Sequence, residues 1–221
     1  SVTHQKKIIF HPKFLPSIVI CDPELTVGMP SFITAGTGMD AFAHCLEAFC
    51  SPHYHPMSQG MALEGMRLVK ENLPKAFADG TDIEARAHMM AAAAMGATAF
   101  QKGLGAIHAM SHPLGAVHNT HHGTTNAVVM LEVLKFNRPA VEGKLVQAAN
   151  YLGIDGGFDG FFDFAASLIN DLGIPKNLTE LGVKNPDIEA LTQEALKDPS
   201  TGGNPIEMTY DNTKALFEAC I

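Results

Sequence analysis

The chain of 221 residues has no tryptophan and only four cysteines, none of which forms a Cys-x-x-Cys pair. So few cysteines exclude a small disulfide-stabilised scaffold, and we expect them to be reduced. No apolar run approaches the length of about 18 residues that would cross a bilayer. No leader with a charged and then an apolar part begins the sequence. The sequence therefore predicts a cytoplasmic protein with no membrane partner.

Basic residues are also scarce, because 15 Lys and Arg stand against 23 Asp and Glu and give a net charge of −8. Nucleic acids and anionic membranes bind basic surfaces, so this balance argues against either partner. Apolar residues make up 46% of the chain, which is ordinary for a globular protein and excludes a disordered one. Histidine is abundant, with eleven residues, five of them between positions 108 and 122.

Two short β-branched segments stand near the N terminus, at residues 8–10 and 18–20, and proline-containing turns separate and close them. This pattern predicts two short strands. Two strands alone are barely stable in water. We therefore expect a β-hairpin within residues 1–28 that completes a sheet supplied by other residues.

From residue 29 onward, apolar residues recur at three- and four-residue steps, which predicts a mainly α fold with one all-helical domain over residues 29–221. Residues 82–99 are apolar nearly all round and predict a helix at the centre of a bundle. Turns with glycine and proline separate the segments. The predicted helices include residues 38–49, 57–73, 82–99, 123–136, 140–152, 159–172, 187–197 and 210–220.

The spacing of acidic and histidine residues is typical of a metal site. Asp40 and His44 are four residues apart in a predicted helix, so their side chains leave the same face. His108 and His112 repeat this spacing, and His122 follows them. Three imidazoles and one carboxylate suit a divalent first-row metal such as iron(II), zinc, cobalt or manganese, whereas an iron–sulfur cluster needs thiolates.

The spacing leaves alternatives open at single positions, since an Asp-x-x-x-His pair is also found as a surface ion pair and a buried histidine can be structural. His121 and His122 are adjacent and point in different directions, so at most one faces a given site, and we prefer His122. His108 and His112 share a face, so one can bind the metal while the other stands beside it as a proton carrier.

Longer motifs surround these residues. Residues 38–48, which read Gly-Met-Asp-Ala-Phe-Ala-His-Cys-Leu-Glu-Ala, resemble the first metal-binding signature of the iron-containing (group III) alcohol dehydrogenases. Residues 103–116 resemble the second signature, residues 119–127 continue it, and residues 200–205 are similar to the closing motif. The motifs stand in the family's order and span nearly the whole chain, which thus resembles the C-terminal metal-binding helical domain.

The resemblance implies roles for single residues. In the family, the positions that match Asp40, His44, His108 and His122 hold the catalytic metal. The position that matches His112 lies beside the metal, near the nicotinamide, which implies a catalytic and cofactor-contacting residue. The resemblance further implies Fe²⁺ or Zn²⁺ as the metal, NAD(P) as the cofactor and a small alcohol or aldehyde as the substrate. Relatives tend to self-associate, so we expect a homo-oligomer.

Members of the family begin with an α/β dinucleotide-binding domain whose Gly-Gly-Gly-Ser loop holds the pyrophosphate. The 221 residues contain no such loop, because Gly156–Gly157 and Gly202–Gly203 follow no predicted strand. We therefore expect residues 1–28 to be a remnant of that domain and residues 29–221 to be the metal-binding domain. NAD(P) would then be bound mostly outside this chain, which we expect to be inactive alone.

These expectations indicate an NAD(P)-dependent alcohol dehydrogenase, in which a metal held by the four ligands acts as a Lewis acid. His112 would pass the hydroxyl proton onward. Two alternatives stay open at this stage. One is a metal-dependent hydrolase or lyase that uses a metal-activated water, and the other is a helical module that binds metal without catalysis.

Overall fold

The computed structural model describes residues 6, 9 and 11–221, and over these residues it is helical with no strand. The helical fold class that the sequence predicts is therefore confirmed. The α-helices are α1 Ser31–Cys50, α2 Pro56–Ala78, α3 Ile83–Ala99, α4 Ala106–His118, α5 His122–Leu152, α6 Gly157–Asp171, α7 Ile188–Lys197 and α8 Tyr210–Ala219. Short 3-10 helices occupy Pro12–Phe14, Pro23–Thr26, Phe100–Lys102 and Pro199–Gly203.

The structure does not support the predicted β-hairpin over the residues that it describes. Residues 18–20 have no regular secondary structure and are exposed, and Pro12–Phe14 forms a 3-10 helix in place of the turn. Residue 9 also lies outside any strand, while residues 8 and 10 lie outside the described residues. A strand needs a neighbour that pairs with its backbone, so β-branched composition without a sheet does not produce one.

Helix α1 lies at the centre of the bundle, where it packs against α2, α3 and α5. Fourteen of its 20 residues are buried. Its contact with the first turn of α5 is close, because a side chain on Gly123 would overlap the carbonyl of Gly36 and would lie 3.0 Å from the Cβ of Asp40. Glycine at position 123 therefore permits the N terminus of α5 to reach the polar residues of α1.

Two predictions about individual helices are wrong. Helix α3 is not central, since one of its faces is exposed and includes Ala93, Ala94 and Ala97. Alanine carries little apolar surface, so an alanine-rich helix loses little by leaving one face in water. The predicted break after residue 136 is absent, because α5 continues through Pro139. Among the described residues, none of the helices combines the length and the apolar composition that a bilayer span requires.

Two lysines cap the buried C-terminal end of α1. The Nζ of Lys102 donates hydrogen bonds of 2.8, 3.1 and 2.8 Å to the carbonyls of Ala48, Phe49 and Ser51. Lys144 donates to the carbonyls of Cys50 and Ser51 at 3.0 and 2.8 Å. The last carbonyls of a helix lack intrahelical donors and carry a partial negative charge, which the two ammonium groups offset. The helix that carries Asp40 and His44 is thus held firmly at this end.

Replacing Lys102 by Met is expected to lower the free energy of unfolding by about 2–4 kcal/mol, because the carbonyls of Ala48 and Phe49 lose this donor and that of Ser51 keeps only Lys144. The measurement is urea unfolding followed by circular dichroism. Lys135→Met is the control, since the Lys135 side chain is 58% exposed and pairs with Glu132 at the surface. Equal losses in the two variants would contradict the capping role.

Candidate metal centre

The four predicted ligands come together from three helices. The Oδ1 of Asp40 lies 4.0 Å from the Nε2 of His44, 3.6 Å from that of His108 and 3.4 Å from that of His122. Ligand atoms of Asp40, His44 and His108 all lie within 4.8 Å of one another. His122 is not part of that group of three, but its Nε2 faces the same carboxylate oxygen. Four residues separated by up to 82 positions of sequence therefore surround one point.

The backbone explains why His122 rather than His121 lies beside Asp40. His121 is the N-cap residue of α5, and its Nδ1 accepts a hydrogen bond of 3.3 Å from the backbone N–H of Thr124. A side chain engaged in capping stays next to its own helix end. His122 is the first residue of the helix, and its ring stacks on that of His112 with centroids 5.3 Å apart.

Asn126 fills the space between the ligands. Its Nδ2 donates to the Oδ1 of Asp40 at 2.7 Å and lies 3.3 Å from the Nε2 of both His108 and His122. Its Oδ1 is buried and has no hydrogen-bond partner in the described part of the chain. Asp40 and His122 each present a lone pair to this space, and His108 would present another once the proton on its Nε2 is displaced. This set of donors fits a divalent cation.

The electrostatics of the site also fit a metal. Burial lowers the pKa of His44 to about 4 and that of His122 to about 3, so both imidazoles are neutral at neutral pH. Burial acts against the ionised form of Asp40, yet its hydrogen bond with His108 and the neighbouring histidines hold its pKa below the ordinary value. Neutral imidazoles and an ionised carboxylate are the protonation states that bind metal.

Glu47 supports His108 from the side away from Asp40. Its Oε2 lies 2.7 Å from the Nδ1 of His108, and its Oε1 accepts a hydrogen bond of 2.7 Å from the backbone N–H of Ile107. Burial opposes a charged imidazole, but the hydrogen bonds to Asp40 and Glu47 raise the pKa of His108 to about 9. A bound metal would replace the proton on the Nε2 of His108, while the Nδ1–H would still donate to the carboxylate of Glu47.

His112 lies outside this group, one turn along α4 from His108. Its Nδ1 lies 2.7 Å from the Oδ2 of Asp198, and both side chains are nearly buried. Asp198 is the C-cap residue of α7. His112 and Asp198 line a cavity of about 250 Å³ that Leu191 and Val117 also border. The arrangement provides an imidazole beside the metal position with access to a space for small molecules.

Asn126 and Asp198 were not identified as candidate site residues from the sequence. Asn126 is four residues after His122 on the same helix, and the rule that such residues share a face would have identified it. Asp198 is 86 residues from His112, and no local pattern in the sequence connects the two.

Comparisons with known proteins agree with these features. Residues 34–221 match the family model described as Fe-containing alcohol dehydrogenase family, C-terminal. The chain is 38% identical over 227 residues to a 4-hydroxybutyrate dehydrogenase of Cupriavidus necator, covering 96% of this chain and 58% of that protein. It is also 38% identical over 223 residues to an NAD-dependent methanol dehydrogenase of Bacillus methanolicus, again covering 96% of this chain and 58% of that protein.

Solved structures give the same result. The crystal structure of a 1,3-propanediol oxidoreductase matches with a TM-score of 0.89 and 35% identity, over 94% of this chain and 56% of that one. The structure of a sulfoacetaldehyde reductase from Bifidobacterium kashiwanohense in complex with NAD⁺ matches with a TM-score of 0.87 and 30% identity, over 96% and 56%. The chain thus spans somewhat more than half the length of these relatives.

Replacing Glu47 by Gln is expected to weaken Co²⁺ binding to the chain about 10- to 100-fold, because His108 loses its charged acceptor. The measurement is a titration of visible absorption against a competing chelator. Glu142→Gln is the matched control, since the Glu142 side chain is 52% exposed and pairs with Arg138 at the surface. Unchanged affinity in folded Glu47→Gln protein would refute the support role of this carboxylate.

Proposed function

Because the chain belongs to the iron-containing alcohol dehydrogenase family, we propose that it supplies the metal-binding half of an enzyme that interconverts an alcohol and its aldehyde or ketone with NAD(P). The convergence of Asp40, His44, His108 and His122 around one point is the observation that supports this proposal most directly. These residues stand in the two sequence motifs that resemble the family's metal-binding signatures.

The proposed metal ligands are these four residues, and the proposed metal is Fe²⁺, with Zn²⁺ as an alternative that the same donors accept. When bound, the cation would supply Lewis acidity at the oxygen of the substrate. The protein's own part is to present an ionised carboxylate, the neutral imidazoles of His44 and His122, and the imidazole of His108, whose Nε2 proton the metal would displace. The contacts of Asn126 and Glu47 on either side of the buried His108 keep these donors oriented.

His112 is proposed as the catalytic proton carrier and as a contact of the nicotinamide. It lies beside His122 and lines the cavity of about 250 Å³, so it can exchange a proton with a small molecule bound there. Imidazole suits this work because its pKa is normally close to neutral pH. The rest of the cofactor site would be supplied by residues outside this chain.

Residues 1–28 are proposed to belong with the cofactor domain and residues 29–221 to form the metal-binding domain. Apolar side chains in the first segment are strongly exposed, which favours cover by another part of a longer protein. The exposed residues include Phe14, Leu15, Ile18, Val19 and Ile20. Self-association and a cytoplasmic location stay predictions.

Metal binding tests the proposed ligands. Replacing both His108 and His122 by Ala is expected to abolish stoichiometric Fe²⁺ binding, because two of the four donors are lost. If the double variant does not fold, the single variant His122→Ala replaces it in the test, because His122 is the more exposed of the two histidines. Elemental analysis of protein isolated without chelators gives the metal content. His88→Ala is the control, since this histidine pairs with Glu84 on the surface. Full metal content in the folded double variant would disprove the site.

Dehydrogenase activity tests the reaction. The chain joined to the cofactor domain of a 1,3-propanediol oxidoreductase and supplied with Fe²⁺ is expected to reduce NAD⁺ with 1,3-propanediol, whereas the chain alone is not. NADH formation is followed by its absorbance. The same chimera with His122→Ala is the negative control. Turnover of esters or hydration of alkenes without NAD⁺, in place of alcohol oxidation, would favour a metal-activated water and contradict the proposal.

A further inference from the structure

The contact between Asp198 and His112 uses both oxygens of the carboxylate. Oδ2 lies 2.7 Å from the Nδ1 of His112, and the two side chains are 10% and 8% exposed. Oδ1 accepts a hydrogen bond of 2.8 Å from the backbone N–H of Ser200, which caps the 3-10 helix Pro199–Gly203. The backbone bond holds the carboxylate in one orientation, so its second oxygen faces the imidazole at a fixed position.

The segment that carries Asp198 is fastened to the N terminus of α4, the helix of His112. The Oδ1 of Asn204 accepts hydrogen bonds from the backbone N–H of Ala106 at 3.1 Å and from the amide of Asn137 at 2.9 Å. The Nδ2 of Asn204 donates a hydrogen bond of 2.9 Å to the Oδ1 of Asn137. A side chain on Gly203 would overlap the carbonyl of Leu104, so glycine permits this close approach. These contacts fix the segment to α4 independently of the contact between Asp198 and His112.

We propose that Asp198 is a positioning residue for His112, which keeps the imidazole in the tautomer that carries its proton on Nδ1. A neutral imidazole has one N–H, so a carboxylate that accepts from Nδ1 leaves the lone pair on Nε2. A ring that takes a proton from a substrate hydroxyl needs that lone pair. The proton-carrier role rests on the proposed function, whereas the tautomer does not.

Nuclear magnetic resonance of the ¹⁵N-labelled chain tests the tautomer without metal, cofactor or alcohol. Long-range ¹H–¹⁵N correlations distinguish the tautomers, and the signals of His112 are those absent from His112→Gln. We expect the Nδ1–H form in the wild type and loss of this single form in Asp198→Asn. Asparagine retains the cap on Ser200 but offers the ring no charged acceptor. Asp187→Asn is the matched control, because Asp187 is also a helix N-cap and lines the same cavity.

The wild-type spectrum alone can overturn the proposal, whether or not the variant folds. An Nε2–H tautomer of the neutral His112 ring would refute it, as would an unchanged tautomer in folded Asp198→Asn or an equal change in Asp187→Asn. In the chimera, Asp198→Asn is expected to lower kcat by at least 10-fold with little change in KM for the alcohol or in Co²⁺ affinity. Failure of the wild-type chimera to oxidise alcohol would contradict the proposed function but not the tautomer.

Discussion

Burial of carboxylates on α1 is the constraint on which the rest of the site depends. A helix that is buried along most of its length brings Asp40 and Glu47 toward the interior, where an ionised carboxylate is costly unless it is paired. Residues of α4 and α5 supply the partners, because Glu47 contacts His108 and Asp40 accepts from Asn126. The polar contacts that satisfy these two charges are therefore the same contacts that bring the imidazoles together.

Helix α4 carries two carboxylate–histidine pairs one turn apart, and each has a separation of 2.7 Å between nitrogen and oxygen. The first carboxylate comes from α1 and leaves the Nε2 of His108 near the other proposed ligands. The second comes from Asp198, after α7, and binds His112 at the edge of a cavity. The two histidines leave the same face of α4 but have different surroundings. This difference supports a ligand role for His108 and a proton-carrier role for His112.

The helical class follows from the sequence because each helix buries an apolar stripe, and the stripe repeats locally at three- and four-residue steps. The predictions from the sequence were not confirmed where the local structure depends on residues far away in the chain. Residues 18–20 have the composition of a strand but no described partner with which to pair. Helix α3 is apolar nearly all round, so its pattern could not show which face is exposed. Pro139 predicts a break, yet the packing of α5 on both sides of it maintains one helix.

For the candidate site, too, some features follow from the sequence and others only from the tertiary structure. The sequence alone specified Asp40 with His44, and His108 with His112, because a four-residue step along one helix is a local property of the backbone. Only the tertiary structure decided that these pairs meet, that His121 caps its helix while His122 lies beside Asp40, and that Asp198 contacts His112 across 86 residues. Such contacts depend on how whole helices pack, and packing is set by side chains far apart in the chain, which no local spacing reports.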